Sequence, residues 1–431
     1  MKNILQSKLV RSISGSIILK IIGSFLAFVT SIILARLLGV VEYGEYSYII
    51  ALIGLLSIPT NNGFPNMIIR FISAYKTRSE WSQLKGLLKV SNILALIISL
   101  SIFLVTLCIV LSLDINFDEK TIIVGLLLLP LLALNAVRTG ILKGLNNVIL
   151  GQMPENLIIP AVFIIILFLT RFIIGIDLDA TTAIIIRVLT VGIAFLVGVL
   201  FLRAKIPFQV KNTKEKYNIK TWIHSAIPLL LVGGMMYLNN RFDILMLGVL
   251  KNSTDVGIYQ VVTKGAELII FALTALNSVF SPRFSSLYVD NKMLELQKMV
   301  TLSARLIFFI SLPIALLFIF YGGTILSFFY GNEYAIGGTS LAILAFGQLV
   351  NAAFGSVGQL LIMTGYEKFN AFGVAVAAVS NIILNAILIP KWGIIGAATA
   401  TSISLIVWNV LLAYGVYKKI NIYPTLIGKI R

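Results

Sequence analysis

The chain has 431 residues, of which 58% are hydrophobic and 12% are charged, and its formal net charge is +17. A soluble domain carries about a quarter charged residues, so this composition excludes a soluble globular protein. The apolar residues form runs of about 20, which is the length that a helix needs to cross a bilayer. The sequence therefore predicts an all-α integral membrane protein.

Twelve apolar runs follow one another along the chain and predict twelve transmembrane helices. The basic N-terminal segment leads into a run of full transmembrane length, so no cleavable signal peptide is expected. The twelve runs lie near residues 12–38, 43–72, 86–112, 121–145, 154–174, 181–202, 222–249, 256–282, 300–321, 336–365, 368–389 and 393–417.

The second run is interrupted by the segment PTNNGFPN, from Pro59 to Asn66. Proline lacks a backbone donor and clashes with the preceding helical turn, so we expect this helix to kink or break here. A break inside a transmembrane helix is a place where the helix can bend. We therefore predict a gate element at Pro59, Gly63 and Pro65.

The positive charge is distributed unevenly between the two sides of the membrane. Most of the 34 lysines and arginines lie in the N-terminal segment, in the loops after even-numbered helices or in the C-terminal tail. The positive-inside rule then places both termini in the cytoplasm. Topology and contact with anionic lipid account for the basic balance, so no nucleic-acid partner is predicted. Six basic residues lie on the opposite side: Arg36, Lys120, Arg171, Arg187, Lys251 and Lys391.

The longest polar connection is RAKIPFQVKNTKEKYNIK, which separates six predicted helices from six. A weak repeat accompanies this division, because LLGVVEYGEY and MLGVLKNSTDVGIY both contain LGV, a spacer and G-x-Y. Six helices per half is an even number, so the halves should be related by a pseudo-two-fold axis along the membrane normal. We predict an N-terminal six-helix bundle at 1–202, a cytoplasmic linker at 203–221 and a C-terminal six-helix bundle at 222–431.

Charged residues lie inside the apolar segment YLNNRFDILMLG of the seventh run. Arg241 and Asp243 are two positions apart, so they point in nearly opposite directions on a helix and cannot pair with each other. Each therefore needs a partner, a water-filled cavity or a ligand. Lys264 and Glu267 are three apart on one face, where a local ion pair is the favoured interpretation.

Lys20 shares a helical face with small residues, Gly23, Ala27 and Ser31. That stripe fits either close helix packing or one wall of an open cavity, and the sequence does not decide between them. Two further arginines, Arg70 and Arg138, lie toward the cytoplasmic ends of their helices, where snorkelling to the interface explains them.

The cations in the spans outnumber the anions, which favours a cavity for an anionic substrate, since phosphates are bound by arginine and lysine. We predict substrate-binding roles for Lys20, Arg241 and Lys264, with Asn239 and Asn240 binding hydroxyl groups. Asp243 and Glu267 are the candidates for coupling to H⁺ or Na⁺. Other amides, more simply explained by hydrogen bonds between helices, are Gln260, Asn277, Gln348, Asn351, Asn381 and Asn385.

Motifs for catalysis or nucleotide hydrolysis are missing from the sequence. It contains no G-x-x-x-x-G-K-[ST] phosphate loop, no metal-ligand cluster and no pair of carboxylates in a long external loop. We therefore predict a transporter without a cofactor, driven by an ion gradient if transport is active, rather than an enzyme.

Six segments occur in the order seen in bacterial polysaccharide flippases: ILARLLGVVEYGEYSYIIAL, GFPNMIIRF, ILKGLNN with GQMPENLIIP, NNRFDILMLG with VGIYQVV, SFFYGNEYAIGG and AILIPKWGIIGAATAT. The chain thus resembles the O-antigen and capsule repeat-unit transporters of the multidrug/oligosaccharidyl-lipid/polysaccharide exporter superfamily. The resemblance extends over essentially the whole chain.

The resemblance implies a fold of twelve helices in two bundles and an alternating-access mechanism in the bacterial plasma membrane. The implied substrate is an undecaprenyl-pyrophosphate-linked oligosaccharide, moved from the inner to the outer leaflet. Membrane lipid, a polysaccharide polymerase and glycosyltransferases of the same pathway are the implied partners. The cationic lumen of that family would correspond here to Lys20, Arg241 and Lys264.

Three alternatives were weighed against this interpretation. A peptidoglycan-precursor flippase commonly has extra helices, and a drug extruder favours acidic cavity residues, opposite in sign to those found here. A membrane polymerase or ligase of lipid-linked glycans would need long external loops for catalysis, and no such loop is found.

Overall fold

The fold is entirely helical in the part of the chain that the computed structural model describes. That part comprises the backbone of residues 2–61, 63–112 and 117–428, with side chains described from residue 15 onward except at 272 and 278. No strand occurs among these residues, which confirms the predicted all-α class. Large apolar side chains such as Phe25, Leu196 and Phe320 are exposed, as expected of helices whose outer faces meet lipid.

The first half of the chain begins with one very long helix and continues through shorter ones. Two π-helical turns, Pro154–Ile158 and Leu169–Ile174, interrupt its fifth span. The α-helices are α1 Lys2–Leu56, α2 Ile58–Asn61, α3 Phe64–Thr77, α4 Trp81–Ser112, α5 Glu119–Leu126, α6 Leu128–Gly144, α7 Val148–Met153, α8 Ile159–Phe168, α9 Ala180–Lys205 and α10 Phe208–Lys211.

The second half has the same character, with a 3-10 turn at Asn332–Gly337 and a second very long helix at its end. Its α-helices are α11 Ile219–Leu250, α12 Ser253–Ile269, α13 Phe271–Val289, α14 Met293–Tyr330, α15 Gly338–Phe354, α16 Val357–Met363 and α17 Glu367–Ile420.

Glycines divide the two longest helices, α1 and α17. Gly39 has φ 75° and ψ 178°, and Gly393 has φ 53° and ψ −128°. These are conformations that a residue with a Cβ rarely adopts, so the helical path breaks at each glycine. Nine described helices are long and apolar enough to cross a membrane, and a bent pair, Ser253–Ile269 with Leu273–Val289, gives a tenth span. Division at the two glycines then yields twelve spans, matching the predicted number.

The predicted break in the second span is confirmed. Helix α1 ends at Leu56, the short α2 follows, and α3 starts only at Phe64, with Pro65 in its first turn. Gly63 lies so close to α11 that a Cβ there would come within 2.2 Å of the Leu230 backbone nitrogen. Glycine is therefore required at this break by the close approach of the α11 backbone.

The described chain separates into two compact units. Unit 1 comprises residues 1–38 and 49–237, and unit 2 comprises residues 39–48 and 238–431. Helix α11 thus contributes its first part to unit 1 and its last part, from Leu238, to unit 2. The bundle boundaries predicted at 1–202 and 222–431 stay a prediction.

The predicted linker is anchored to unit 1. The Lys216 amide donates to the Ser82 carbonyl at 3.0 Å, and the Lys85 ammonium donates to the Thr213 carbonyl at 2.9 Å. The buried side chain of Val210 joins the hydrophobic core around Trp222. The segment after the sixth span is therefore held against the beginning of α4.

The C-terminal tail of unit 2 is anchored in a related way. Gln297 donates to the Tyr423 carbonyl at 3.0 Å and accepts from the Tyr423 amide at 2.8 Å. Lys85 of α4 and Gln297 of α14 are each the fifth residue of their helix. Corresponding positions in the two halves thus hold the segment that follows the sixth span and the segment that follows the twelfth.

The repeated G-x-Y motifs meet in unit 2. A Cβ on Gly44 would lie 1.7 Å from the Ser253 carbonyl oxygen, and a Cβ on Gly257 would lie 2.3 Å from the Val40 carbonyl oxygen. The same virtual Cβ of Gly257 is 3.2 Å from the Gly44 nitrogen. The glycines of the predicted repeat therefore allow two backbone segments to touch directly.

Candidate functional site

Helix α11 continues without interruption through the charged segment, so Arg241 and Asp243 point away from one another. The Arg241 side chain is 28% exposed, whereas Asp243 as a residue is only 3% exposed. The two charges consequently lie in different environments, one open and one closed. This separation agrees with the prediction that they do not neutralise each other.

Arg241 belongs to a group of three charges that we call the cationic triad: Arg241, Lys264 and Glu267. The Glu267 carboxylate accepts from the Lys264 ammonium at 2.7 Å and lies 3.6 Å from the Arg241 guanidinium. Gln260 of α12 accepts a further bond from Arg241 at 3.4 Å. The favoured local pair of Lys264 with Glu267 is confirmed, and Arg241 shares the same carboxylate.

The cationic triad keeps one unbalanced positive charge at an open surface. Two cations share one carboxylate, and the Glu267 side chain is 46% exposed. A charge inside an apolar helix pair is costly unless it faces water or a ligand. The arrangement can therefore attract an anion, and an anionic group can replace Glu267 as the partner of either cation.

Asp243 lies in a buried network of hydrogen bonds. Its carboxylate accepts from the Tyr259 hydroxyl at 2.7 Å and from the Ile244 amide at 2.9 Å. The Thr401 hydroxyl of α17 lies 3.4 Å from the same carboxylate oxygen that Tyr259 contacts. Helices α11, α12 and α17 are thus joined through one carboxylate, which we call the Asp243 network.

Two amides extend the Asp243 network along α17. Asn381 donates to the Thr401 hydroxyl at 3.2 Å, and Asn385 donates to the Asn381 side-chain oxygen at 2.9 Å. The Asn385 side-chain oxygen is buried and accepts no hydrogen bond from the described residues. These contacts support the simple interpretation of both amides as groups that bond to neighbouring helical turns and helices.

The predicted hydroxyl-binding amides precede the triad on α11. Asn239 is half-buried and Asn240 is exposed. The structure does not test their role in binding, which stays a prediction. Asn351 is buried and accepts from Asn409 at 3.0 Å, as expected of an amide that bonds across helices.

Lys20 lies in unit 1 and is exposed, and one glycine of its small-residue stripe is a close packing position. A Cβ on Gly23 would lie 2.8 Å from the Asn156 carbonyl oxygen, so Gly23 is a close packing position. Lys20 and Ala27, on the same face, are exposed. Gly23 therefore fits the close-packing interpretation, whereas the cavity-wall interpretation stays a prediction.

The snorkelling explanation of Arg138 is wrong. Arg138 is 3% exposed, and its guanidinium donates to the Phe195 carbonyl and lies 4.8 Å from the centre of the Phe195 ring. A Cβ on Gly198 would lie 2.2 Å from the Arg138 side chain, so a glycine makes room for it. The charge is held inside the protein because α9 supplies a carbonyl, an aromatic face and a gap.

Sequence analysis missed several residues of these sites. Tyr259 and Thr401 complete the Asp243 network, and Lys143 and Glu155 lie near Arg138. The G-x-Y repeat contains Tyr259 and could have pointed to it. Glu155, a carboxylate within an apolar run, could have been recognised by the argument applied to Asp243.

Comparison with known proteins gives consistent matches over most of the chain. The profile of a family described as polysaccharide biosynthesis protein matches residues 9–288, and one described as MatE matches residues 228–387. A Haloferax volcanii protein named probable low-salt glycan biosynthesis flippase Agl15 is 25% identical over 94% of this chain and 83% of its own length. Staphylococcus aureus capsular polysaccharide biosynthesis protein CapF is 30% identical over 48% of this chain and 54% of its own length.

Two solved structures share the fold. Lipid II flippase MurJ, in an inward closed conformation, gives a TM-score of 0.75 at 17% identity, over 93% of this chain and 86% of its own. An inward-facing multidrug resistance MATE family transporter of the MOP superfamily gives 0.77 at 13% identity, over 93% and 94%. At these identities the likeness concerns the fold alone, and it confirms the predicted fold class.

Proposed function

This chain belongs to the polysaccharide biosynthesis protein family, and we propose that it moves a glycan unit carried on a polyprenyl pyrophosphate lipid across the membrane. It is a multi-pass membrane flippase of the MOP superfamily and a transporter rather than an enzyme. The specific proposal is an undecaprenyl-pyrophosphate-linked repeat unit of O-antigen or another surface polysaccharide. Transfer would run from the cytoplasmic to the outer leaflet of a bacterial plasma membrane, with both termini in the cytoplasm.

The observation that carries the proposal is the open cationic triad in an otherwise apolar span. Arg241 and Lys264 share Glu267 at 3.6 and 2.7 Å, which leaves one positive charge for a ligand. A pyrophosphate carries several anionic oxygens, which arginine and lysine bind as charge-assisted acceptors. Asn239 and Asn240, one turn or less away, supply amides for sugar hydroxyls.

The transport step then follows because the two parts of the substrate need different surroundings. The charged headgroup binds the cationic triad, where water and protein dipoles stabilise it, while the hydrocarbon tail stays in the bilayer. Alternating access exposes the bound headgroup first to one side and then to the other. The broken segment at Pro59, Gly63 and Pro65 is the proposed gate, because the helix there lacks continuous backbone hydrogen bonds.

We further propose that Asp243 couples transport to an ion gradient. Its buried carboxylate lies beside the hydroxyl groups of Tyr259 and Thr401, and these oxygens suit a proton or Na⁺. Glu267 was the second predicted coupling residue. Because it contacts two cations, we now place it in the headgroup site, where it holds Arg241 and Lys264 in position.

Gene deletion with complementation tests the proposed function. Deletion should remove surface glycan and leave lipid-linked units on the cytoplasmic side, and the wild-type gene should restore both. Arg241→Ala should restore only about a tenth of the wild-type flipping. Arg305→Ala, at an exposed arginine of α14 that bonds the Leu426 carbonyl, is the matched control and should restore both. Normal surface glycan after deletion, in a strain with no second flippase, would overturn the proposal.

The same deletion strain distinguishes the proposed function from that of related transporters with other substrates. If deletion blocks growth and halts peptidoglycan precursors rather than surface glycan, the protein is a peptidoglycan-precursor flippase. If it changes only drug sensitivity, it is a drug exporter. The proposed polymerase and glycosyltransferase partners are tested in the same cells by co-purification with the tagged flippase.

A further inference from the structure

Unit 1 contains a carboxylate that the proposed function does not use. Glu155 lies in the π-helical turn Pro154–Ile158, within the apolar span that runs from Val148 to Ile174. Its side chain is exposed although the span is apolar. Single π-helical turns inside helices re-aim side chains and are frequent at functional sites. A carboxylate facing lipid would be costly, so the surface around Glu155 is aqueous or is covered by a ligand.

Two cations of α6 lie near this carboxylate, and a cation of α1 lies near one of them. Lys143 and Arg138 of α6 interact electrostatically with Glu155, and the Thr139 hydroxyl, from the same helix, donates to it. Lys20 of α1 adds a third cation, since its charge acts on Lys143. No direct ion pair within 4.0 Å links Glu155 to any of them in the described part of the chain. We call Lys20, Arg138, Lys143 and Glu155 the unit 1 charge cluster.

Two glycines leave room for the cationic side chains of the cluster. A Cβ on Gly198 would collide with the Arg138 guanidinium at 2.2 Å, and one on Gly151 would lie 3.2 Å from the Lys143 stem. Helix α1 is fixed on the other side, where the Ser16 hydroxyl donates to Gln152 at 2.8 Å. The cations are therefore held by the local fold rather than by Glu155.

Arg138 retains an unused donor within the cluster. One terminal nitrogen of its guanidinium donates to the Phe195 carbonyl, whereas the other is buried without a hydrogen-bond partner among the described residues. A buried unpaired donor of a charged group costs about 1–3 kcal/mol or more, so such a group is usually satisfied in the working protein. An anion in the cluster would supply the missing acceptor.

We propose that the unit 1 charge cluster is a second binding site for a phosphate-type anion, in which Glu155 is an internal counter-ion that the ligand displaces. The inference rests on the proposed function, because it assigns the cluster to the pyrophosphate of the same lipid-linked substrate. Three cations against one carboxylate leave a net positive site that attracts an anion. Glu155 lowers the electrostatic cost of the empty site and competes with the bound anion, which keeps binding weak enough for release.

The direction in which anion affinity changes tests this competition, because a purely structural role of Glu155 would not produce the same change. Glu155→Gln removes the competing charge but keeps the size and the acceptor for Thr139, so anion affinity should rise about tenfold. Lys143→Gln should lower the affinity by a similar factor. The gain from Glu155→Gln should shrink in the Lys143→Gln background, because the two charges act on each other.

The measurement is calorimetric titration of purified full-length protein with inorganic pyrophosphate at fixed, low ionic strength. Titration with farnesyl pyrophosphate, a short polyprenyl pyrophosphate, separates a lipid headgroup from a free anion as the source of the ligand. Tighter binding of farnesyl pyrophosphate than of inorganic pyrophosphate supports the lipid-linked substrate. Glu333→Gln, at an exposed glutamate of unit 2, controls for net charge.

Each result of these titrations either supports or overturns the proposed anion site. Tightening by Glu155→Gln alone supports the site, whereas unchanged or weaker pyrophosphate binding would overturn it. Equal tightening by Glu333→Gln would also overturn it, because the effect would then belong to net charge. Glu155→Asp keeps the negative charge, so it should bind pyrophosphate like the wild type, and size-exclusion profiles identify any variant that fails to fold.

The site and the proposed function fail separately. If deletion leaves surface glycan intact but Glu155→Gln tightens pyrophosphate binding, the proposed function is wrong and the site remains. If deletion removes surface glycan but Glu155→Gln leaves pyrophosphate binding unchanged, the flippase remains and the exchange site is wrong.

Discussion

Arg241 and Asp243 are two residues apart on one helix, yet the structure places them in opposite surroundings. Arg241 belongs to an open triad with Lys264 and Glu267, in which the carboxylate is 46% exposed. Asp243 is 3% exposed and accepts from Tyr259 at 2.7 Å. One site holds charges that water or a ligand can reach, and the other holds a charge enclosed by hydroxyls and amides.

The difference shows how a single transmembrane helix can carry two kinds of charged site. A cationic site that is open can exchange its partner for a substrate anion, which is the recognition role that we propose for the cationic triad. A buried carboxylate that joins three helices can change its neighbours when its own charge changes, which is the switching role that we propose for Asp243. The helical angle between positions two apart keeps the two tasks on separate faces.

The largest expected effect comes from neutralising the buried site. Asp243→Asn keeps an oxygen for Tyr259 but removes the charge that a proton or Na⁺ would balance, so we expect surface glycan to fall at least about tenfold. The measurement is complementation of the deletion strain, with size-exclusion profiles to show that the variant folds. Asp255→Asn, in the first turn of α12, is the control. Transport at the wild-type level would return Asp243 to a purely structural role.

The second-largest effect is expected at the cationic triad, where lysine should not fully replace Arg241. Arg241→Ala should lower flipping about tenfold, and Arg241→Lys should restore only part of it, because lysine cannot reproduce the two-nitrogen contact with Glu267 and Gln260. Flipping is measured as the rate of surface glycan recovery after induction. Equal activity of the alanine and lysine variants would show that the shape of the guanidinium is irrelevant.

A smaller effect should appear in the free energy of unfolding and should separate the two regions further. Tyr259→Phe removes the hydroxyl that donates to a buried carboxylate, so the free energy of unfolding should drop by about 1–3 kcal/mol. Lys264→Gln, at a pair whose carboxylate is open to water, should change it by less than about 1 kcal/mol. Chemical denaturation of the purified variants tests both. A larger loss of unfolding free energy for Lys264→Gln than for Tyr259→Phe would contradict the assignment of the cationic triad as the open site and the Asp243 network as the closed one.

The smallest effect is expected for the exposed ion pair between Lys89 of α4 and Glu215 of the central polar segment. The Lys89 ammonium donates to Glu215 at 2.9 Å and holds the pKa of that carboxyl below its usual value. A lowered folded-state pKa means that the pair stabilises the protein above the unfolded-state pKa and that this contribution is lost as pH falls through the folded-state value. Glu215→Gln should therefore lower Tm slightly at pH 7 and not at all at strongly acidic pH. A difference that grows toward acidic pH would contradict this sign.

Local features of the fold were predictable because they depend on neighbouring residues. Apolar runs give the twelve spans, the prolines around Gly63 give the broken second helix, and the spacing of Lys264 and Glu267 gives their ion pair. The positive-φ break at Gly39 lies between two predicted spans, and the break at Gly393 lies at the first residue of the last predicted span, so the two longest helices were expected as pairs.

Long-range features were not predictable from one sequence. Asp243 meets Thr401 of α17, and Arg241 meets Glu267 of α12, through packing that hydropathy does not encode. The anchoring of the central segment on Lys85 was missed because its polar composition is typical of a free linker. Arg138 was misplaced because its helix position suggested an interface, whereas Gly198 and Phe195 provide a buried position.

The most direct test of the central claim is transfer of a lipid-linked glycan in reconstituted vesicles. A radiolabelled polyprenyl-pyrophosphate-linked glycan is placed in the inner leaflet, and its arrival outside is scored with a membrane-impermeant glycosidase. The account predicts transfer by the wild-type protein, transfer at about a tenth of that rate by Arg241→Ala and none above background by Asp243→Asn. Transfer at the wild-type rate by both variants would contradict the division of recognition and switching between the two sites.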